Sequence, residues 1–175
     1  NFIISAGDTI LKLWEARKGM EIATLKGHIC SVNSCVFSPD DSRIVSSSGD
    51  FISQKNTERT LKLWDTMSGK EITTLEGHTD VVSDCAFSPD GKYILSASYD
   101  KTLKIWDAGD CDNQTAYRGH TNNVTACLFS PDGNQVLSAS SDKNLKIWDT
   151  KSGNERKTLK GHTKWIQDCT FSPDG

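Results

Sequence analysis

Short hydrophobic runs alternate with polar turn residues from one end of the chain to the other. In the first complete unit these runs cover residues 31–37, 43–47 and 60–64, and a fourth, residues 71–75, precedes the next motif. Runs of about 5–7 residues rich in Val, Ile, Leu, Thr and Phe between turn signals are typical of β-strands. No stretch keeps a helical period over several turns. The pattern therefore predicts an all-β protein.

The turns between the runs carry their own signature, Ser-Pro-Asp-Gly. Proline at the second position of a type I turn has the φ angle that this turn needs, and glycine suits its exit. Asp41 stands at the glycine position in the first complete unit, which the turn tolerates. Short hairpins of this kind predict one four-stranded antiparallel sheet for each unit.

Three separate motifs repeat with one period, which identifies the chain as a series of repeated units. Gly-His begins at residues 27, 77, 119 and 161, so that the intervals are 50, 42 and 42 residues. Phe-Ser-Pro-Asp and four of the five tryptophans keep the same intervals, and only Trp165 falls outside them. All four histidines and all four prolines belong to these motifs. No histidine is left for a catalytic role.

In each unit Gly-His is followed by Phe-Ser-Pro-Asp, then by a Ser-rich strand with Asp after it, and then by a run that ends in Trp-Asp. In this the chain resembles the WD40 repeat family over essentially its whole length. The resemblance implies a β-propeller, in which four-stranded blades pack face to face around a central channel.

The resemblance also implies a buried hydrogen-bond network in each blade, built from His, Ser, Asp and Trp. Indole, hydroxyl, imidazole and carboxylate satisfy one another in such a network. Ser, His and Asp also form hydrolase triads, but a nucleophile must be exposed beside a substrate, and here a Trp donor repeats with each set. We therefore expect structural networks and no catalytic residue. Three sets match the family: His28, Ser46, Asp50 and Trp64; His78, Ser96, Asp100 and Trp106; His120, Ser138, Asp142 and Trp148.

The repeats divide the single propeller segment, residues 1–175, into blades. Residues 1–26 are predicted to be a partial blade with the second, third and fourth strands, and residues 27–76, 77–118 and 119–160 are predicted to be complete blades. Residues 161–175 are expected to supply the first strand, over 163–171, of a further or ring-closing blade. Asp50 and Trp64 are fourteen residues apart where the later pairs are six apart, so residues 51–58 are interpreted as a loop insertion, either a partner contact or a tolerated loop.

The two incomplete units complement each other. His162 could join Ser5, Asp8 and Trp14 in a ring-closing network, although Ser5 precedes Asp8 by three residues instead of four and Glu15 replaces the usual Asp after Trp14. Three arrangements remain open: a segment of a larger propeller with further blades from the same chain, an association with a second copy, and a closed four-bladed monomer. The first is favoured, because both ends of the chain interrupt a repeat.

Cysteine usage follows the repeat as well. Four cysteines lie seven residues after a motif histidine, which predicts packing near the propeller axis, and no pair has the C-x-x-C spacing of zinc sites. We expect no metal and no cofactor. Cys30 and Cys111 lie off this register and are expected nearer the surface. The absence of a compact disulfide pattern favours a reducing compartment. The four in register are Cys35, Cys85, Cys127 and Cys169.

The composition limits the classes of partner that the chain is expected to bind. The formal net charge is -3 and both signs are scattered along the chain, so no basic face for nucleic acid is expected. No apolar run reaches the roughly 18–20 residues of a membrane span, and no secretory signal begins the sequence. A cytoplasmic location is expected, and the nucleus remains an alternative.

The resemblance implies that the third and fifth residues after each motif His, and the residue before each motif Asp, surround the channel mouth on one face. Tyr99 and Trp165 are the aromatic residues of this set, and such side chains are common anchors for partners. Trp165 could equally cover a neighbouring blade. The candidate partner-binding rim is Ser31, Asn33, Val81, Ser83, Tyr99, Asn123, Thr125, Ser141, Trp165 and Gln167, with Gly49 as a further position.

These features favour a non-catalytic protein-interaction scaffold that binds a protein or peptide through the rim. A narrower alternative is a sensor or autoinhibitory segment of a large signalling ATPase, which a phosphate-loop motif elsewhere in the protein would distinguish. A remote alternative is a hydrolase with rim carboxylates, but the predicted rim positions carry no paired acids.

Overall fold

The structure is a computed structural model that describes residues 1–50, 58–111 and 114–175. The described residues contain fifteen β-strands and no helix, as the hydrophobic pattern predicts. The strands are β1 (Phe2–Gly7), β2 (Ile10–Glu15), β3 (Met20–Lys26), β4 (Val32–Phe37), β5 (Arg43–Ser48), β6 (Leu61–Asp65), β7 (Glu71–Leu75), β8 (Val82–Phe87), β9 (Tyr93–Ser98), β10 (Thr102–Asp107), β11 (Gln114–Arg118), β12 (Val124–Phe129), β13 (Gln135–Ser140), β14 (Asn144–Asp149) and β15 (Glu155–Lys160).

The strands form four antiparallel sheets, in each of which consecutive strands are neighbours. The first sheet has three strands, β1-β2-β3, and the other three have four strands each, β4 to β7, β8 to β11 and β12 to β15. The register is the same from sheet to sheet: Ile44 faces Trp64 and Ile94 faces Trp106 across the second and third strands. Each sheet is therefore one blade, which we number 1 to 4 along the chain. This confirms the predicted fold of propeller blades.

The Ser-Pro-Asp turns are held by their own side chains. In blade 3 the Ser88 hydroxyl donates to Asp90 Oδ1 at 2.6 Å, and Asp90 Oδ1 also accepts the Lys92 N–H. The turn then leaves through Gly91 with a φ of 70°, in the left-handed region that glycine tolerates best. Asp41 occupies the same place in blade 2 with a φ of 58°, and Asp is one of the residues that enter this region at modest cost.

The core lies between the blades. β4 packs against β8 and β8 packs against β12, so that the first strands of blades 2, 3 and 4 line a common axis. β1 of the three-stranded blade 1 packs against β4, as β5 packs against β8. At the junction of blades 3 and 4, Leu95 and Leu103 pack with Val136 and Trp148 in one buried cluster. Burial of side chains of this size is the main favourable term in holding neighbouring sheets together.

The chain forms an open arc in which the two ends do not join. Residues 163–171, predicted as a first strand, form no strand, because no second strand lies beside them to complete a ladder. This segment instead docks on blade 4, where the Ile166 N–H donates to Ser140 O at 3.2 Å. Among the described residues, no backbone hydrogen bond joins residues 161–175 to β1, which pairs only with β2. The closed four-bladed monomer is therefore wrong for this structure.

The described ranges contain no helix that is long and apolar enough to cross a bilayer.

Candidate functional site

The Gly-His loops and the turns between second and third strands lie at one end of the blades. In blade 3 this is shown by Asp100, which follows β9 and accepts the N–H of Thr79 in the Gly-His loop at 3.1 Å. We call this end the His face. The opposite end, with the Ser-Pro-Asp turns and the turns after Trp-Asp, is the turn face.

Blade 3 contains a complete four-membered network beneath the His face. Trp106 Nε1 donates to Ser96 Oγ at 2.9 Å, and Ser96 Oγ lies 2.7 Å from His78 Nε2. His78 Nδ1 lies 2.7 Å from Asp100 Oδ2. When Nδ1 donates to the carboxylate and Nε2 accepts from the serine hydroxyl, each of these four side chains has a hydrogen-bond partner within the network. The structure thus brings together all four residues of this predicted set.

Blade 4 repeats this arrangement with His120, Ser138, Asp142 and Trp148 at nearly identical distances of 2.7, 2.7 and 2.9 Å. Burial lowers the pKa of the His120 imidazole, and the neighbouring Asp142 only partly opposes this effect. Burial acts to raise the pKa of the Asp142 carboxyl, but hydrogen bonds from His120 and the Thr121 N–H outweigh it, so that this pKa lies below its ordinary value. The charge state of the network is therefore an ionised Asp beside a neutral His.

Blade 2 corrects the prediction for Asp50. His28 Nε2 lies 2.7 Å from Ser46 Oγ, and Trp64 Nε1 donates to Ser46 Oγ at 2.9 Å, but the imidazole's other partner is Glu58 Oε1, at 2.8 Å. Asp50 is half-buried and makes other interactions. The predicted fourth member of this network is therefore wrong.

The insertion explains this exchange of carboxylates. Glu58 stands two residues before Thr60, which precedes β6, as Asp100 stands two residues before Thr102 at the start of β10. Both threonine hydroxyls donate to the carboxylate in front of them. The carboxylate that keeps its register with the third strand is therefore the one that binds the His28 imidazole. Residues 51–57 of the predicted insertion lie outside the described residues.

The longer Glu58 side chain also reaches farther into the Gly-His loop. Its Oε2 accepts the Ile29 N–H at 2.7 Å and the Cys30 N–H at 3.2 Å. Burial acts to raise the pKa of Glu58, but the hydrogen bonds from His28 and the Ile29 N–H outweigh it and lower this pKa to about 2. Cys30, expected near the surface, is buried in this arrangement, with the Glu58 N–H 3.4 Å from its sulfur.

The predicted ring-closing set is not assembled. Trp14 Nε1 donates to Ser5 Oγ at 2.8 Å, but Ser5, Asp8 and His162 are all exposed. His162 follows blade 4, whereas the other two belong to blade 1, and the open arc keeps these ends apart. This prediction fails for the same reason as the closed monomer.

The serines of the complete networks are inaccessible. Ser46, Ser96 and Ser138 are fully buried and each accepts an indole N–H. A nucleophile needs access to a substrate and a base that can take its proton. These hydroxyls act as connectors between Trp and His, which is a structural role.

Three residues predicted to bind partners instead connect neighbouring blades. Asn33 Nδ2 donates to Val82 O at 2.9 Å, and Ser83 Oγ donates to Val124 O at 2.7 Å. Thr125 Oγ1 donates to Ile166 O at 2.6 Å. Each side chain thus satisfies a carbonyl at the start of the next repeat. Gln167 holds the same position one repeat later; its side chain is exposed and has no hydrogen-bond partner among the described residues.

The remaining rim residues differ in their exposure. Val81 is 5% exposed and packs on Gly49, where a Cβ atom would lie 2.9 Å from Val81 Cα. Ser31, Tyr99, Asn123 and Ser141 are half-buried. Trp165, in contrast, is 67% exposed. Only part of the predicted rim is thus free to touch another molecule.

A carboxylate near the axis escaped the sequence analysis. Asp84 Oδ2 accepts the Cys127 N–H of the next blade at 2.9 Å, and its other oxygen accepts the Cys85 N–H. Burial raises the pKa of Asp84. Blade 2 has Ser34 and blade 4 has Ala126 at this position, and of the four repeats only the last, with Asp168, has the same acid, so the repeat pattern carried only a partial signal for it.

The cysteines in register lie along the same axis. Cys85 and Cys127 are buried, Cys35 and Cys169 are half-buried, and burial raises the pKa of all four thiols, that of Cys169 to about 12. Neutral thiols of this kind pack as small apolar groups. The described part of the chain holds no cluster of His, Cys, Asp or Glu suited to a metal ion.

A comparison with protein-family models supports the repeat pattern independently. The model described as WD40, WD domain, G-beta repeat, matches residues 19–65, 69–107, 111–149 and 153–175. Each of the first three matches begins near the fourth strand of one blade and continues through the first three strands of the next, so that these sequence repeats connect two blades. The match over residues 153–175 covers β15 and the segment after it, which forms no strand. A search of curated proteins gave no match. With the family model matching most of its length, and with blades and networks of the corresponding form, the chain belongs to the WD40 repeat family.

Proposed function

We propose that this chain is a non-catalytic interaction scaffold that binds a protein or peptide through the rim of its His face, with Trp165 as the principal anchor. WD40 repeats in general serve as protein-interaction modules, and this part of the proposal follows from the family. The choice of face and of anchor rests on the exposure of Trp165.

Trp165 is exposed although the preceding blade, blade 4, is present beside it. Val81 holds the equivalent position in blade 3 and is covered by Gly49 of the preceding blade. The residue equivalent to Gly49 beside Trp165 is Ser141, which is present in blade 4, yet the indole stays 67% exposed. Blade 4 thus leaves this large aromatic side chain uncovered, which suits it to a partner.

The backbone that carries Trp165 is fixed. The next residue, Ile166, is buried, its N–H donates to Ser140 O, and its carbonyl accepts the Thr125 hydroxyl. An anchor on a fixed backbone loses little conformational entropy when it binds. Lys164 and Gln167 are exposed beside it and supply a polar border. Aromatic anchors with polar surroundings are typical of binding hot spots.

The buried networks support this role by making the blades rigid. They occupy His, Ser and Trp in the interior, so that recognition falls to the loops that the blades hold in place. We further propose that Tyr99, Ser31, Asn123 and Ser141 border the contact surface, since each is partly exposed at the His face.

The test is a comparison of partners captured by the wild-type chain, Trp165→Ala and Met67→Ala. Met67 is also exposed, but it lies on the turn face, so its variant controls for the loss of an exposed apolar side chain. We expect Trp165→Ala to lose at least about 2 kcal/mol of binding free energy for a true partner, the usual value for a hot spot, and Met67→Ala to lose none. Equal recovery of the same partners by both variants, with intact folding by circular dichroism, would refute the proposal.

A further inference from the structure

Equivalent grooves open on the turn face at successive blade junctions. One lies between blades 2 and 3, and its wall includes Leu63, Thr73 and Ala108. The other lies between blades 3 and 4, and Ile105, Thr115 and Thr150 occupy the corresponding places in it. The two grooves therefore share these wall positions, although the second also includes the Ser-Pro-Asp turns of blades 3 and 4.

The first groove is occupied by an arginine of the chain itself. Arg43, the first residue of β5, donates from Nη1 to Ala108 O at 2.7 Å and from Nη2 to Gly91 O at 3.0 Å. Its guanidinium carbon lies 5.7 Å from the centre of the Phe87 ring. Two backbone carbonyls and an aromatic face thus form a binding site for a planar cation with several hydrogen-bond donors.

The second groove keeps part of this arrangement but lacks the arginine. Tyr93, the first residue of β9, stands where Arg43 stands in blade 2, and the carbonyls equivalent to those of Gly91 and Ala108 belong to Gly133 and Thr150. The Tyr117 hydroxyl donates to Thr150 O at 2.5 Å. Within the described ranges no side chain donates to Gly133 O. The cavity in this groove has a volume of about 460 Å³, against about 320 Å³ beside Arg43 in the first groove. Both volumes lie within the range of ligand pockets, about 300–1,000 Å³.

The walls of the second groove are acidic. Asp90 and Asp132, from the Ser-Pro-Asp turns of blades 3 and 4, both line it. A hydrogen bond from the Ser88 hydroxyl, with help from the Lys92 N–H, lowers the pKa of Asp90. The Ser130 hydroxyl and the Asn134 N–H lower the pKa of Asp132 to about 2. Both carboxylates are therefore ionised at neutral pH.

Two cations lie near these acids. Lys92 is 3.6 Å from Asp90 and strongly exposed, and Lys151 lines the groove from blade 4. Across the described residues neither lysine forms an ion pair with Asp132, whose second oxygen accepts the Asn134 amide. The Tyr93 ring, 39% exposed, offers an apolar face beside the acids. The groove thus combines the Asp132 carboxylate, which has no ion pair among the described residues, with a carbonyl acceptor and an aromatic surface.

We propose that the groove between blades 3 and 4 binds an arginine side chain of a peptide or protein partner. The guanidinium lies as Arg43 lies in the first groove, with donors to Gly133 O and to the carboxylates of Asp132 and Asp90. Arginine fits better than lysine because its planar fork serves several acceptors at once. The site is on the turn face and does not depend on the proposed role of Trp165, so either proposal can fail alone.

The direct test is a titration of the ¹⁵N-labelled chain with the blocked peptide Gly-Ala-Arg-Ala-Gly, followed by NMR. We expect saturable shifts of the amides of Gly133, Asp132 and Tyr93. A matched peptide with citrulline, which keeps the shape and loses the charge, is expected to bind at least about tenfold more weakly, and the lysine peptide to fall between them. No saturable shift, or equal affinity for the citrulline peptide, would overturn the proposal.

Two exchanges of side chains sharpen this test. Tyr93→Arg gives the second groove its own arginine, as in the first groove, and is expected to abolish peptide binding. Asp132→Asn is expected to weaken binding about threefold, as for loss of a solvent-exposed ion pair. Met67→Ala, an exposed site on another blade, is the control for both.

Either variant can contradict the assigned groove. If Tyr93→Arg folds, as shown by its amide spectrum, and still binds the arginine peptide with wild-type affinity, the groove is wrong. If Tyr93→Arg does not fold, binding by Asp132→Asn without any loss of affinity would likewise show that the arginine does not lie in this groove.

Discussion

His120 and His162 hold the same place in the Gly-His motif, yet their surroundings are opposite. His120 is buried between the Ser138 hydroxyl and the Asp142 carboxylate, each 2.7 Å away. His162 is exposed and has no hydrogen-bond partner in the part of the chain that the structure describes. The difference lies in the strands that follow, because Ser and Asp come from the second strand of the same blade and the turn after it. The motif alone does not make the network; a complete sheet does.

The largest expected loss of stability follows from replacing the central tryptophan of a complete blade. Trp148→Ala should lower the free energy of unfolding by about 3–5 kcal/mol, because it leaves a cavity between blades and a serine without its indole donor. Trp14→Ala, in the three-stranded blade where the indole is only half-buried, should cost less than about 2 kcal/mol. Urea denaturation of both variants measures this, and equal losses would contradict the comparison.

The next effect separates Glu58 from Asp50. Glu58→Gln should cost about 1–3 kcal/mol, because a neutral amide replaces the ionised acceptor of the His28 imidazole and of the Ile29 N–H. Asp50→Asn, at the position that the motif spacing indicates, is the matched control and should cost less. The same urea experiment decides it; a larger loss for Asp50→Asn would restore the assignment made from the sequence.

A smaller effect is expected at the contacts between blades. Ser83→Ala removes the hydroxyl that donates to Val124 O and should cost about 1 kcal/mol. Gln167→Ala changes the equivalent position one repeat later, where the side chain is exposed, and should stay within about 0.5 kcal/mol of wild type. If the two variants unfold at the same urea concentration, the blade-to-blade hydrogen bond contributes nothing measurable.

The smallest expected effect is a dependence on pH. The pKa of His120 is lowered by burial in the native state, against an ordinary value of 6.5, so the unfolded chain binds this proton first as the pH falls. The contribution of His120 to stability is therefore fully present above its ordinary pKa and is lost as the pH falls below it, while the low pKa values of Asp142 and Glu155 beside the ring keep these groups ionised. The Lys146 ammonium also lies near the ring. His120→Gln should flatten this decline, with His162→Gln as the control variant. A profile unchanged by His120→Gln would contradict a buried neutral imidazole.

These comparisons also show how much the sequence predicts. Strand positions, turns and the repeat could be predicted because they depend on local patterns, namely hydrophobic runs and Ser-Pro-Asp turns. The networks of blades 3 and 4 could be proposed because every member keeps its motif spacing.

The failures all concern contacts between segments. The eight-residue insertion left Asp50 in its motif position while Glu58 kept its register with the third strand, and spacing alone does not say which of them reaches His28. Asn33, Ser83 and Thr125 were assigned to the partner-binding rim from their place after the motif His, because a single repeat does not show that their hydrogen bonds reach the next one. A strand over residues 163–171 was expected from its pattern, but a strand also needs a neighbour.

Hydrogen exchange of the indole Nε1–H groups, followed by NMR in D₂O, tests most directly whether the repeated polar residues are internal connectors and the rim alone is free. Trp64, Trp106 and Trp148 donate to buried serines, so their indole protons should exchange only through opening of a blade, many times more slowly than that of the exposed Trp165. Exchange at Trp64, Trp106 and Trp148 as fast as at Trp165 would show that these networks are open to water and would contradict their structural role.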